Sequence, residues 1–129
     1  MNVDKIFDRT FDLVKVRMGL DVKEHELISG NIANIGTPNY VGKKLSFQET
    51  LEKMINEPSS TLRTTNKKHF LTGIGGPEED QFVINETGEV DIDKELSQLT
   101  ENSVHYKALV TILTKKFNLL KLAMTEGGK

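Results

Sequence analysis

Apolar residues recur at helical spacing over the first quarter of the chain. From about Val3 to Ile35, the residues Ile6, Leu13, Leu20 and Leu27 fall seven apart. A row of Phe7, Val14, Asp21 and Ile28 runs beside them, and a third of Phe11, Met18, His25 and Ile32. Such rows share one side of an α-helix, so the pattern predicts a single long amphipathic helix, its stripe interrupted at Asp21 and His25.

The other end of the chain carries a narrower seam. Leu96, Leu99, Ser103, Tyr106, Val110, Leu113, Phe117, Leu120 and Met124 alternate steps of three and four, as the a and d positions of a coiled coil do. Asp91 or Asp93 suits the N-cap, and Glu95 lies near the positive end of the helix dipole. Lys115, Lys116 and Lys121 favour its second half, and Gly127-Gly128 ends it. Residues 96–125 would span ~45 Å at a helical rise per residue.

Between them the periodicity breaks down. Ser46-Phe47-Gln48-Glu49 reads as a capping box opening a short helix over 47–56, which Pro58 stops. From Ser59 to Val90 the chain is rich in Ser, Thr, Asn, Gly and Glu, with Gly73-Ile74-Gly75-Gly76-Pro77 at its centre. Only Gln81–Asn85 and Val90–Ile92 look like strand. The fold expected is mainly α. Two long terminal helices, 1–35 and 96–125, pair antiparallel as a coiled coil and form one core. The middle segment, 36–95, is irregular, holding the short helix and a strand or small β-hairpin. One such pair covers a single stripe of each helix, leaving Leu109, Ile112, Leu119 and Leu122 in need of another surface.

Composition narrows the function classes. With 17 basic and 19 acidic residues in 129, the net charge of −2 gives no nucleic-acid footprint. There is no Cys, so disulfides and thiolate metal sites are excluded. No apolar run approaches the ~20 residues of a membrane-spanning helix. Asp4, Asp8 and Asp12 interrupt any signal-peptide core, so a route out of the cytosol without a cleaved signal is expected. Asp91 and Asp93 read as caps. His25, His69 and His105 lack ligand spacing, and Asn85–Asp91 lacks the ligand order of an EF-hand. The glycine cluster has no following Lys-Ser/Thr, and Lys67-Lys68-His69 is a solvated charge cluster. No enzyme, cofactor or metal is expected.

One stretch stands apart, Asn31-Ile32-Ala33-Asn34-Ile35-Gly36-Thr37-Pro38-Asn39-Tyr40. Pro38 pushes Thr37 out of the α region, Gly36 suits a left-handed C′ position, and Asn31 and Asn34 can bond nearby carbonyls. Plain helix capping explains this much. It leaves out Gly30, which inside a helix costs ~1 kcal/mol relative to Ala. Ser29, Gly30, Ala33 and Gly36 form a small-residue face, and a second reading has a neighbouring chain packing there with the asparagines bonding across to it. The two readings stand level on the residues alone.

Ser29–Tyr40, SGNIANIGTPNY, resembles the SxNIANxxTPxY signature near the N-terminus of the flagellar axial proteins, the rod and hook family. The C-terminal stretch resembles the proximal-rod branch of that family. It has Val90-Asp91-Ile92-Asp93-Lys94-Glu95 before the helix, Asn102 followed four residues later by Tyr106, and Lys116-Phe117 ahead of a Leu-rich end. The resemblance covers roughly 5–55 and 86–125; Gly42 departs from it, standing where a basic residue is more usual.

The resemblance implies a structural subunit of the flagellar basal-body rod, the drive shaft that transmits torque, located in the cell envelope and periplasmic in a Gram-negative cell. It implies assembly through the terminal helices with copies of itself, neighbouring rod proteins and the basal adaptor and export apparatus. Pro38 and Tyr40 join the small face and the two asparagines as assembly or packing residues. On the second helix Leu99, Tyr106, Val110, Leu113, Phe117 and Leu120 do the same. Phe7 and Phe11 match an N-terminal element recognised by the flagellar export gate, although packing alone would also place them on the apolar stripe. The alternative function is a soluble coiled-coil adaptor or chaperone acting as a small oligomer.

Overall fold

A computed structural model describes residues 3–56 and 79–126, with only the backbone described for residues 3–9 and 55. The element order is α1 (Val3–Ala33), β1 (Gly42–Leu45), α2 (Phe47–Asn56), a 3-10 turn (Glu79–Gln81), β2 (Ile84–Gly88) and α3 (Ile92–Glu126). The Pro58 stop, the glycine-rich turn, the Lys67–His69 cluster and the Gly127-Gly128 terminator lie outside the described residues.

The two long helices pair antiparallel. Asn31 meets Glu95, Asp21 meets Asn102, Arg17 meets His105 and Phe11 meets Phe117. Asp91 is the N-cap of α3, its Oδ1 accepting from the N–H groups of Asp93 and Lys94 at 3.0 and 3.3 Å. That capture makes Ile92 the first helical residue, so Val90–Ile92 does not form the strand its composition suggested. At 35 residues, α3 is ~52 Å long.

The middle segment builds a small antiparallel sheet, but not from a local turn. β1 pairs with β2 across the whole of α2 and the segment after it, with Leu45 opposite Ile84 and Lys44 opposite Asn85. Between Gly42 and Lys43 the register slips, leaving Thr87 as the extra residue of a bulge. A Cβ on Gly42 would lie 2.7 Å from Thr87 Oγ1 and 3.1 Å from Val90 Cγ2, so the bulge closes over a position without a side chain. Beyond it Gly88 takes φ +85°, a conformation that glycine adopts without strain.

α2 spans the expected range, but its start is tied to β2. The Ser46 N–H donates to the Val83 carbonyl at 2.8 Å, where the capping box would have used it for Glu49, and the Val83 N–H donates to Thr50 Oγ1 at 3.0 Å. Thr50 is wholly buried. Lys53 Nζ donates to the Asp80 carbonyl.

The main apolar cluster sits where α1, β1 and α2 converge. Leu20, Leu45 and Met54 are buried together, with Val16, Leu27 and Phe82 against them. The N-terminal stripe is therefore used unevenly. Leu20 lies under α2 and β1, whereas Leu13, seven residues earlier, is 61% exposed because only α3 accompanies α1 there.

Candidate functional site

Asn31 is 2% exposed, and its side chain is saturated within its own chain. Its Nδ2 donates to the Lys43 carbonyl at 2.8 Å and to Glu95 Oε2 at 3.1 Å. Its Oδ1 accepts from the Lys43 N–H at 2.9 Å and from the Tyr40 hydroxyl at 3.1 Å. Two donors and two acceptor sites are all that an amide has. One residue thus docks β1, the turn before it and the start of α3 onto the end of α1. Within the chain all four hydrogen-bonding positions of the Asn31 amide are taken.

Asn34 behaves as a cap, its Nδ2 donating to the Gly30 carbonyl at 2.8 Å. The helix then unwinds through successive three-residue turns, Ile35 N–H to Ile32, Thr37 to Asn34 and Tyr40 to Thr37. Gly36 is not the left-handed residue expected there. Asn39 is, at φ 60°, because it is the third residue of the last of these turns, Thr37–Tyr40, where it follows Pro38 and positive φ is required.

A second polar group lies one third of the way along the seam. Asn102 Nδ2 donates to the Asp21 carbonyl at 2.9 Å and to Glu24 Oε2 at 3.2 Å. Asp21 is 1% exposed, with Arg17 Nε 3.0 Å from its Oδ1. That contact has the distance of an ion pair but not the alignment of a hydrogen bond. Burial pushes the Asp21 carboxyl above its ordinary range; the Arg17 charge works against this and the Glu24 charge adds to it. The Arg17 guanidinium also stacks 4.5 Å from the centre of the Phe47 ring and reaches His105 Nδ1 at 3.3 Å. It therefore joins all three helices.

These bonds set the rotation of α3. With Glu95 and Asn102 turned inward, Leu99, Leu109, Leu113 and Leu120 are half-buried. The row expected to alternate with Leu99, Tyr106, Leu113 and Leu120 lies one position off. Leu96, Val110 and Met124 are exposed, as is Tyr106 at the margin, and Phe117 remains 57% exposed although its ring centre is 5.2 Å from that of Phe11. Lys116 covers the other ring from 5.6 Å.

The small-residue face lies open. A Cβ on Gly30 or Gly36 would meet nothing within 4 Å; Ala33, Gly36 and Pro38 are exposed and Ser29 is half-buried. Phe7 has no described side chain. Of the histidines, His25 is exposed. Among the described residues no cluster of three His, Asp or Glu could hold a metal, and no helix is long and apolar enough to cross a membrane. An open groove beside Met18, Gly19, Val22 and Phe82 is rimmed by Lys23, which bonds Glu79 at 2.8 Å and Glu26 at 3.2 Å. The Glu79 bond raises the Lys23 pKa, and among the described residues lining the groove there is no Ser, Thr or His.

No protein-family model matches the chain, and no solved structure matches it. Curated relatives do. The flagellar basal body rod protein FlgB of Bacillus subtilis is 35% identical over 117 residues, 84% of this chain and 86% of the relative. The chain belongs to the FlgB family. FlgB of Borreliella burgdorferi is 30% identical over 92% of this chain and 97% of its own, and FlgB of Aeromonas hydrophila 28% over 92% and 94%. A FlgB-family chain is a structural component of the flagellar basal-body rod and not an enzyme, which fits a site made of packing and hydrogen bonds alone. The free adaptor or chaperone finds no support in this family.

Sequence reasoning missed Arg17, Asp21 and Glu95 as structural residues. The one available signal was a charged residue recurring on an otherwise apolar row, as Asp21 does; Glu95 read equally well as a dipole partner.

Proposed function

We propose that this chain is a subunit of the proximal rod, assembling through α1 and α3 with copies of itself and with neighbouring rod proteins, and passing torque along the shaft. The observation that carries the reading is the outer surface of α3. Val104, Val110, Ile112, Phe117, Leu119 and Leu122 are all exposed on one helix, more apolar side chain than an isolated pair has reason to display. Few large side chains stand behind it, so the pair gains packing partners only in an assembly. Contacts that do not close on themselves give an open helical array.

The open face of Ser29, Gly30, Ala33 and Gly36 would receive the backbone of a neighbour, with Asn31, Asn34, Pro38 and Tyr40 fixing its shape from within. The chain would reach the envelope through the flagellar export apparatus without cleavage, with Phe7 and Phe11 read by the gate. It would meet the basal adaptor there and stand in the periplasm of a Gram-negative cell. Deletion in the host tests the class. Basal bodies seen by electron microscopy should keep the membrane ring and lack rod and filament; an intact rod in the deletion strain would overturn the reading.

A further inference from the structure

The sheet is a ribbon of two strands, and its two outer edges are finished differently. Main-chain groups of successive strand residues point alternately to either side. The Ser46 N–H donates to the Val83 carbonyl at 2.8 Å, and the same register carries on to Lys44 opposite Asn85 and Lys43 opposite Glu86. Val83 and Asn85 therefore bond toward β1, and the N–H and C=O groups of Ile84 and Glu86 point away from it. The same alternation turns the main-chain groups of Lys43 away from β2. There the Asn31 amide meets both, donating to the carbonyl at 2.8 Å and accepting from the N–H at 2.9 Å. A side chain thus closes the β1 edge.

Nothing comparable closes the β2 edge. All five residues of β2 are exposed, and among the described residues no group bonds the outward main chain of Ile84 or Glu86. Edge strands are commonly guarded by lysine, by proline or by a covering element, and β2 contains neither lysine nor proline. The bulge at Thr87 and the positive φ of Gly88 end the regular stretch, so the open edge comes down to Ile84 and Glu86. A strand added there antiparallel sets one residue opposite Glu86 and, two positions later, one opposite Ile84. The surroundings decide their chemistry. From Glu79 to Asp93 the chain has six acidic residues and no basic one. Ile84 is 41% exposed and Glu86 is exposed beside it. On its inner side β2 already pairs with a basic residue followed two positions later by an apolar one, Lys43 opposite Glu86 and Leu45 opposite Ile84.

We infer that the open edge of β2 takes an extended segment of another protein by strand addition, a segment carrying a basic residue and, two positions on, an apolar one. Main-chain bonds to Ile84 and Glu86 hold it. The Glu86 carboxylate selects the basic side chain and Ile84 packs on the apolar one. The added strand repeats outside β2 the order that Lys43 and Leu45 have inside it. This contact lies on the sheet, apart from the helix surfaces through which the rod reading assembles the chain, and it does not depend on that reading.

Amide exchange followed by nuclear magnetic resonance on the full chain tests this, with the synthetic peptide acetyl-Thr-Thr-Lys-Thr-Val-Thr-Thr-amide added to about 1 mM. In the free chain the Asn85 amide, which faces Lys44, should exchange slowly and those of Ile84 and Glu86 fast. The peptide should shift the resonances of Ile84–Gly88 and slow exchange at Ile84 and Glu86 by at least about twofold, the protection of a half-filled site. A peptide with glutamate for the lysine, and one N-methylated at the bonding amides, should do neither. Glu86→Pro removes an edge donor where no bond to β1 is made and should abolish binding; Glu86→Gln removes only the charge and should weaken it a few-fold. A slow Asn85 amide in each variant shows that the sheet is intact. No response at about 1 mM, equal binding of the N-methylated peptide, or binding unchanged in both variants would overturn the inference. So would protection of the Ile84 and Glu86 amides without peptide, at every concentration if the chain covers its own edge, or only at high concentration if a second copy does. None of these outcomes touches the rod reading, which stands or falls on the basal bodies of the deletion strain.

Discussion

Asn31 Nδ2 lies 3.1 Å from Glu95 Oε2, joining the end of α1 to the first turn of α3 across 64 positions of sequence. Both side chains are buried, so the bond is made where neither group has water as a substitute. It also fixes which face of α3 turns inward, and therefore which apolar residues are left exposed.

Truncating the hub should unfold the junction. Asn31→Ala leaves the Lys43 N–H and carbonyl unpaired and a carboxylate buried without its donor, so a loss of about 2–4 kcal/mol in urea unfolding is expected. Tyr40→Phe removes a single hydroxyl and should cost about 0.5–1.5 kcal/mol. Equal, small effects from both would show that Asn31 is not the centre of the network.

The long helices and the range of α2 were legible because their signals are local: repeats of three, four and seven, a Ser before the first turn, an Asp two residues before Asp93. The rotation of α3 was not. Read by hydrophobicity, Leu96 and Val110 outrank Glu95 and Asn102, and only the partners Asn31 and Asp21, distant in sequence, reverse that order. β1 was illegible for a similar reason. Gly42-Lys43-Lys44-Leu45 has no strand composition, and the Asn31 amide holds it by mimicking a neighbouring strand. The amphipathic N-terminal stripe was overestimated at Leu13, where no third element arrives to cover it.

Asp21 should make stability depend on pH in a direction opposite to that of a paired carboxylate. Its folded pKa is raised, chiefly by burial, so the folded state holds the proton more tightly than the unfolded chain. The stabilisation from protonation is fully present below the ordinary carboxylate value near ~4 and is lost as pH rises through the raised one. Asp21→Asn removes the penalty without waiting for a proton. Thermal melts should place the variant above wild type at neutral pH, with the gap closing on acidification. A gap that stays constant with pH would show that Asp21 pays no burial penalty in its charged form.

Phe11 has two possible employments, and they separate by mutation. Its ring packs on Phe117 and under Lys116, so Phe117→Ala removes the same packing, worth ~1 kcal/mol, while leaving the N-terminal sequence intact. Under the export reading, Phe7→Ala with Phe11→Ala should lower secretion several-fold and Phe117→Ala should not. Equal secretion of all three forms, measured in culture supernatant against the cell pellet, would leave packing as the sole role of these rings.

Gly30 offers the sharpest separation between folding and assembly. Nothing of the chain itself lies within 4 Å of a Cβ built there, and the residue sits inside α1 with an ordinary helical backbone. Leucine at that position should therefore be accepted by the monomer, even raising its stability by up to ~1 kcal/mol through helix propensity. In the assembled rod the same side chain would occupy the space of a closely packed neighbour. Gly30→Leu should melt at or above the wild-type temperature, be exported, and leave the cells non-motile with no rod beyond the basal ring. Swimming cells carrying a stable Gly30→Leu protein would mean that the face of Ser29, Gly30, Ala33 and Gly36 touches no one, and that the glycine has no part in building the shaft.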